Sequence, residues 1–150
     1  MFKCILVAVD GSEHANRAVE FGAALAEKFQ SKLTLLHVMP HAGSHRIPDD
    51  LKEFARTEHL SINEAEILSN VANAIVDRAK DQAKSCGAKN IQSAIATGDA
   101  ATNIIDYCKN HEIDTVVMGR RGLGDLAGLF LGSVSHKVAH KAKCACLTVE

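Results

Sequence analysis

Half of the chain's ten glycines fall between residues 119 and 132: Gly119, Gly122, Gly124, Gly128 and Gly132. Glycine tolerates positive φ and lets a backbone come close to a ligand. The segment runs into Gly132-Ser133-Val134-Ser135, where the apolar spacing starts a short helix. A helix entry offers amide N–H groups without intrahelical partners and the positive end of the helix dipole. Two hydroxyls and several amides there could hold phosphate oxygens. Arg120 and Arg121, in the same segment, could add charge-assisted contacts. The chemistry these residues suit best is anion binding, phosphate above all. A connector or a partner-binding loop would suit the same glycines.

Two common phosphate templates do not fit. A P-loop requires Gly-x4-Gly-Lys-Ser/Thr after the first strand, and no lysine follows Gly132. The dinucleotide fingerprint Gly-x-Gly-x-x-Gly fails because three residues separate Gly124 from Gly128. The segment also follows the fourth predicted strand rather than the first.

The elements that must position this segment are legible from apolar periodicity. Lys3–Val9 is a β-branched-rich run that predicts a strand, broken by Asp10-Gly11-Ser12. Ser12 is a candidate helix cap, followed by Ala15, Ala18, Val19, Gly22, Ala26 and Phe29 at helical spacing. Lys32–Val38 predicts a second strand, stopped by Pro40. Residues 41–60 have no period and read as a loop, with a helical turn around Asp50–Arg56. Ser61 and Glu64 form a capping-box pattern ahead of a long helix. Its apolar stripe is Leu68, Val71, Ile75, Ala79 and Cys86, and Gly87 ends it. Asn90–Thr97 alternates as a third strand, with Ile91, Ser93 and Ile95 on one side. Asp99 caps a helix whose Ile104, Ile105 and Cys108 face inward. Asp114–Met118 is a fourth strand, Ser133–Lys141 a helix and Cys144–Val149 a fifth strand.

Strands alternating with helices predict an α/β fold, one parallel sheet covered on both faces. Strands one, two and four are almost wholly apolar and belong in the centre, whereas Gln92 and Ser93 place strand three at an edge. The doubly wound order 3-2-1-4-5 satisfies this. It puts the switch point between strands one and four, where ligands bind beyond the carboxyl ends. The fifth strand is then an apolar edge, and pairing with a second copy would cover it. The expected assembly is a homodimer through Cys144–Val149; the alternative is an edge covered by the chain's own termini.

The 150 residues suit one domain, 1–150, with a core of its own. Apolar residues make up 47% and charged residues 23%, which is globular composition. A net charge of −1, no Trp and one Tyr supply neither the field nor the stacking platforms of a nucleic-acid binder. No apolar run approaches the ~20 residues of a membrane helix, and no leader pattern precedes Lys3. Five cysteines at irregular spacing argue against a disulfide framework. The expectation is a reduced, cytoplasmic protein that binds neither nucleic acid nor membrane.

The glycine segment, read with its neighbours, resembles the universal stress protein family of UspA-like proteins. Nucleotide-binding members carry Gly-x2-Gly-x9-Gly-Ser/Thr here, and Gly119, Gly122, Gly132 and Ser133 match with spacing intact. The flanks VVMGRRG and LFLGSVSHKV, the opening ILVAVDGSEHA and the second strand LTLLHVMP are similar too, so the resemblance spans the chain. It implies a Rossmann-like fold of the adenine nucleotide alpha hydrolase type and binding of ATP, with magnesium. It implies that Ala8, Val9 and Asp10 line the crevice, with Asp10 near ribose or phosphate. Val38 would read adenine through its backbone, and Met118 and Gly119 would flank ribose and phosphates. Gly122, Gly132, Ser133, Val134 and Ser135 would wrap the triphosphate, with Arg121 beside them. One departure is the last strand, where the family often has Pro-Cys-Pro-Val-Leu-Val-Val and this chain has Lys143-Cys144-Ala145-Cys146-Leu147-Thr148-Val149. Losing both prolines weakens the family-based case for the dimer edge.

Other constellations have plainer readings. A phospho-receiver built on Asp10 would need an aspartate where Thr97 stands and a lysine where Val149 stands. His136, His140, Cys144 and Cys146 have soft-metal types and spacing, but solvent-facing histidines and core cysteines explain them better. His41, His45 and His59 lie in the 41–60 loop, which could act as a lid over adenine. Cys86 and Cys108 read as core. Nothing marks a base or nucleophile, so the chain reads as a nucleotide-binding stress or signalling module rather than an enzyme. A slow ATPase or autophosphorylating protein is one alternative, and an interaction protein with a vestigial pocket is another.

Overall fold

The computed structural model describes residues 2–41, 43, 63–122 and 132–150. The strands are β1 (Cys4–Ala8), β2 (Lys32–Met39), β3 (Ile91–Thr97), β4 (Thr115–Gly119) and β5 (Ala145–Val149). The helices are α1 (Glu13–Phe29), α2 (Glu64–Ser85), α3 (Ala100–Asn110) and α4 (Ser133–Lys141). All strand pairs are parallel, in the order β3-β2-β1-β4-β5. This is the predicted doubly wound sheet. Alternation along the strands divides the core in two. Ile5, Val7, Leu33, Leu35 and Val117 turn to α1 and α2, and Leu6, Leu36, Val116 and Met118 turn to α3 and α4. Each fully buried branched side chain contributes about 1.5–3 kcal/mol, and most of these are completely enclosed.

The helix boundaries follow local chemistry. Ser12 caps α1, its Oγ accepting from Ala15 N–H at 3.2 Å. Ala15, Ala18, Val19, Gly22 and Ala26 form the buried face, as the spacing predicts. Phe29 departs from that stripe: it is exposed and stacks on Phe2 with centroids 5.0 Å apart. α2 starts later than the capping box predicts. Glu64 is its first residue, and Asn63 is the cap, its Oδ1 accepting from Ala65 N–H at 3.1 Å. An asparagine next to the helix start is as good a cap as serine and wins by position; Ser61 lies outside the described residues. The buried face of α2 is Ala72, Val76, Ala79 and Ala83, while Val71 is 51% exposed. Gly87, at φ +90°, ends the helix as predicted. Gly87 N–H donates to Lys84 O and Ala88 N–H to Ala83 O, which satisfies the last carbonyls. Asp99 caps α3 through Thr102 N–H at 2.9 Å. The helical turn expected at Asp50–Arg56 and most of the 41–60 loop lie outside the described residues. No described helix is long and apolar enough to cross a membrane.

Asp114 locks the start of β1 to β4. Its Oδ2 accepts from Lys3 N–H at 2.7 Å, and its Oδ1 accepts from Thr115 Oγ1 at 2.9 Å. Partial burial pushes this carboxyl upward, but these bonds and a longer one from Cys4 N–H outweigh it and hold the carboxyl below the ordinary aspartate range. A depressed folded-state value contributes stability above the unfolded value, which is lost as pH falls through the folded one. Urea unfolding of the wild type should therefore show stability falling as pH drops below about 4. Asp114→Asn should be less stable at neutral pH and lose less over the acid range; equal slopes for the two proteins would refute the assignment.

Candidate functional site

The site forms where the sheet changes winding direction, at the carboxyl ends of β1 and β4. β1 ends at Ala8 and the chain continues as Val9-Asp10-Gly11. Asp10 Oδ1 accepts from Ser12 N–H at 2.9 Å, and Gly11 takes φ +82°. This tight turn feeds directly into α1. Across the crevice β4 ends at Gly119, where a Cβ would lie 2.8 Å from the His14 carbonyl carbon. A Cβ at Gly122 would lie 2.6 Å from Asp10 Oδ2. The glycine-rich strand exit is thus pressed against the first turn of α1.

The glycine segment leaves and rejoins the fold at one point. Arg120 N–H donates to Val149 O at 2.7 Å, and Arg120 Nη2 pairs with Glu150 Oε1 at 2.9 Å. Arg120 O then accepts from Gly132 N–H at 2.8 Å and from Ser135 Oγ at 2.9 Å. Ser135 Oγ also lies 3.0 Å from Gly132 O. The two arginines therefore differ: Arg120 faces the end of β5, and Arg121 faces the crevice. The Ser135 hydroxyl proton is directed to backbone carbonyls, so this hydroxyl closes the base of the loop. Gly124 and Gly128 lie outside the described residues. Gly132 is the N-cap of α4 and supplies no side-chain cap. The amides of Ser133, Val134 and Ser135, at the first helical positions, have no intrahelical acceptor.

These elements enclose a cavity of about 640 Å³. The twelve residues that the family resemblance singled out line it: Ala8, Val9, Asp10, Val38, Met118, Gly119, Arg121, Gly122, Gly132, Ser133, Val134 and Ser135, whereas Arg120 does not. The lining has two kinds of surface. The polar part comes from the α4 start with Ser133, Arg121 and Asp10. The apolar part comes from Leu68, Val71 and Ile75 of α2 and from Val38, Met39 and Pro40 of β2 and its exit. The sequence reading missed the α2 contribution. Its signal was present, since Leu68, Val71 and Ile75 are apolar and flank the buried face of Ala72, Val76, Ala79 and Ala83. Ile104 and Ala100 of α3 also reach the cavity.

The profile of the universal stress protein family matches residues 1–150. The chain belongs to the universal stress protein family. The universal stress protein YxiE of Bacillus subtilis is 30% identical over 99% of both chains. A universal stress protein of Thermus aquaticus is 33% identical, again over 99% of both. Among solved structures, a universal stress protein in complex with cAMP aligns with a TM-score of 0.72 at 27% identity, covering 99% of this chain and 97% of that one.

The His and Cys residues of this universal stress protein near its end separate spatially. His136 and His140 are exposed on α4, their rings nearly parallel with centroids 6.4 Å apart. Cys144 and Cys146 pack toward Cys108 in the core beneath α3 and α4. Burial, and then the neighbouring Cys144, push the Cys108 thiol far upward and the Cys146 thiol up to about 11.

Proposed function

We propose that this protein binds one adenine nucleotide, ATP with magnesium, in the cavity between β1 and β4, and that occupancy changes what the protein contacts during stress. The observation that carries this reading is the uncapped start of α4. Three amides without intrahelical acceptors border a cavity that is also lined by apolar side chains of α2 and β2. A triphosphate suits the amides, the helix dipole and Arg121. A purine suits the wall of Val38, Leu68, Val71 and Ile75. The volume falls within the ordinary range of about 300–1,000 Å³ for small-molecule sites. Asp10 supplies a carboxylate, the hard oxygen donor a magnesium ion on the phosphates would take. The cAMP complex of a related protein supports an adenine ligand. The protein is read as cytoplasmic, with five free thiols.

Titration calorimetry on nucleotide-stripped protein tests the reading, with ATP, AMP, cAMP and inorganic tripolyphosphate as ligands. One ATP per chain is expected, bound more tightly than tripolyphosphate because the base adds contacts. Absence of heat with every adenine nucleotide, together with no nucleotide in native mass spectra of the freshly purified protein, would overturn it.

We also propose a homodimer through β5. The strand is the sheet edge, and it presents Ala145 and Thr148 to the outside while Cys146, Leu147 and Val149 are half-buried. Pairing with a second β5 would satisfy the open edge. Light scattering at micromolar concentration should give twice the chain mass, and Thr148→Pro, which removes an edge donor, should give the single-chain mass. A single-chain mass for the wild type would sink the dimer.

A further inference from the structure

The end of β1 is held by a side chain where a strand ladder would continue. Val9 N–H donates to Leu36 O at 2.9 Å, extending the β1–β2 pairing one step past β1. Backbone groups two residues apart in a strand face the same neighbour, so Val38 N–H points toward β1 as Leu36 O does. The next rung of a parallel ladder would join Val38 N–H to Val9 O. Instead Val9 O accepts from His37 Nδ1 at 2.7 Å. A carbonyl only accepts, so the proton sits on Nδ1. His37 is 8% exposed and lies on the β2 face it shares with Leu33 and Leu35. Both Val9 and Val38 line the cavity.

We infer that His37 is a positioning residue that takes the Val9 carbonyl away from the strand ladder and so keeps the Val38 backbone open to the base. This rests on the nucleotide reading above and assigns the origin of its base selectivity. The Watson–Crick edge of adenine offers N1 as acceptor and the N6 amino group as donor. Val38 N–H and C=O present the complementary pair only while Val38 N–H stays off Val9 O, which His37 holds at 2.7 Å. Without the imidazole, Val9 O would be a buried acceptor lacking its partner, and such a group draws in the nearest donor. That donor is Val38 N–H, so the two strands would close over the slot.

Two variants and two readouts test this. His37→Leu keeps an apolar-compatible side chain but cannot donate. His37→Asn places an amide N–H close to where Nδ1 stands. For His37→Leu, ATP affinity should fall about tenfold, the scale of losing hydrogen bonds to the base. His37→Asn should stay within about threefold of wild type, because its amide restores one donor of the same kind. Tripolyphosphate affinity should be equal in all three proteins, because the phosphate end is untouched. Independently of any ligand, amide exchange followed by NMR should show Val38 exchanging rapidly in the ligand-free wild type and becoming protected in His37→Leu. Wild-type ATP affinity in His37→Leu, or a Val38 amide already protected in the wild type, would overturn the inference. The wild-type exchange measurement decides even if His37→Leu does not fold. If no variant binds nucleotide, the nucleotide reading fails while the exchange data still settle what His37 does.

Discussion

Gly119→Ala should cost about 3 kcal/mol of stability, toward the upper end for an overpacked site. The new methyl would sit 2.8 Å from both the carbonyl carbon and Cβ of His14, and 2.9 Å from Arg121 O. Two of these three atoms are backbone, one in the first turn of α1 and one in the strand exit itself. Neither can rotate away. Relief requires moving α1 off β4, and those two elements pack against each other through the core that holds Val19 and Val117. For a domain of this size the loss corresponds to a fall of roughly 10 °C in Tm. Gly122→Ala offers the contrast. Its methyl meets Asp10 Oδ2 at 2.6 Å, the tip of a short side chain that can turn. Thermal unfolding should show a small loss, about 1 kcal/mol from disturbing the bond to Ser12 N–H. Nucleotide affinity should fall at least as much as stability, because the Asp10 carboxylate swings into the cavity beside the phosphates. A Gly119→Ala protein as stable as wild type would show that the α1–β4 contact is soft.

The split between those two glycines marks what the sequence can and cannot show. The order of elements was legible because each strand is a short apolar run closed by a turn residue, and each helix has a period near 3.6. Ser12, Asp99 and Gly87 end their helices where the sequence says, since capping depends on neighbours within four residues. The strand order followed from the polarity of β3, a local property with a global consequence. Errors arose where tertiary contacts decide. Phe29 sits at the right helical phase to be buried, but α1 has outrun the sheet there and the ring lies on Phe2 instead. Val71 belongs to the apolar stripe that the spacing predicts, yet the buried face of α2 is turned by one residue onto Ala72 and Val76, and Val71 borders the cavity instead. The sequence pattern places His37 in a strand and says nothing more of it. Its bond to Val9 O joins residues 28 positions apart, and no periodicity reports such a pairing. The two adjacent arginines are alike in sequence. Only the position of Glu150 beside Arg120 separates their directions.

Replacing residues 123–131 by a Gly-Ser pair should leave the fold intact and reduce ATP affinity by more than about a hundredfold. The first expectation follows from how the loop base is closed. Arg120 O accepts from Gly132 N–H at 2.8 Å, so the chain already returns to within one hydrogen bond of where it left. Ser135 Oγ and the Val149 carbonyl fasten the same point from α4 and β5. Shortening a connection whose ends are already adjacent costs little, because closure entropy changes slowly with loop length. Tm should stay within a few degrees of wild type. The second expectation follows from what the segment supplies. Gly122 and Gly132 bound it on the cavity wall, and its sequence adds Gly124 and Gly128, residues whose backbone can come close to a phosphate. The α4 amides would remain, and an isolated helix start holds an anion by roughly 1 kcal/mol or less. A shortened protein that folds and binds ATP as wild type would show that the start of α4 and Arg121 hold the phosphates alone. A shortened protein that does not fold would show that residues 123–131 make contacts on which the core depends, and the closed base would then be a consequence of the loop's packing rather than its cause.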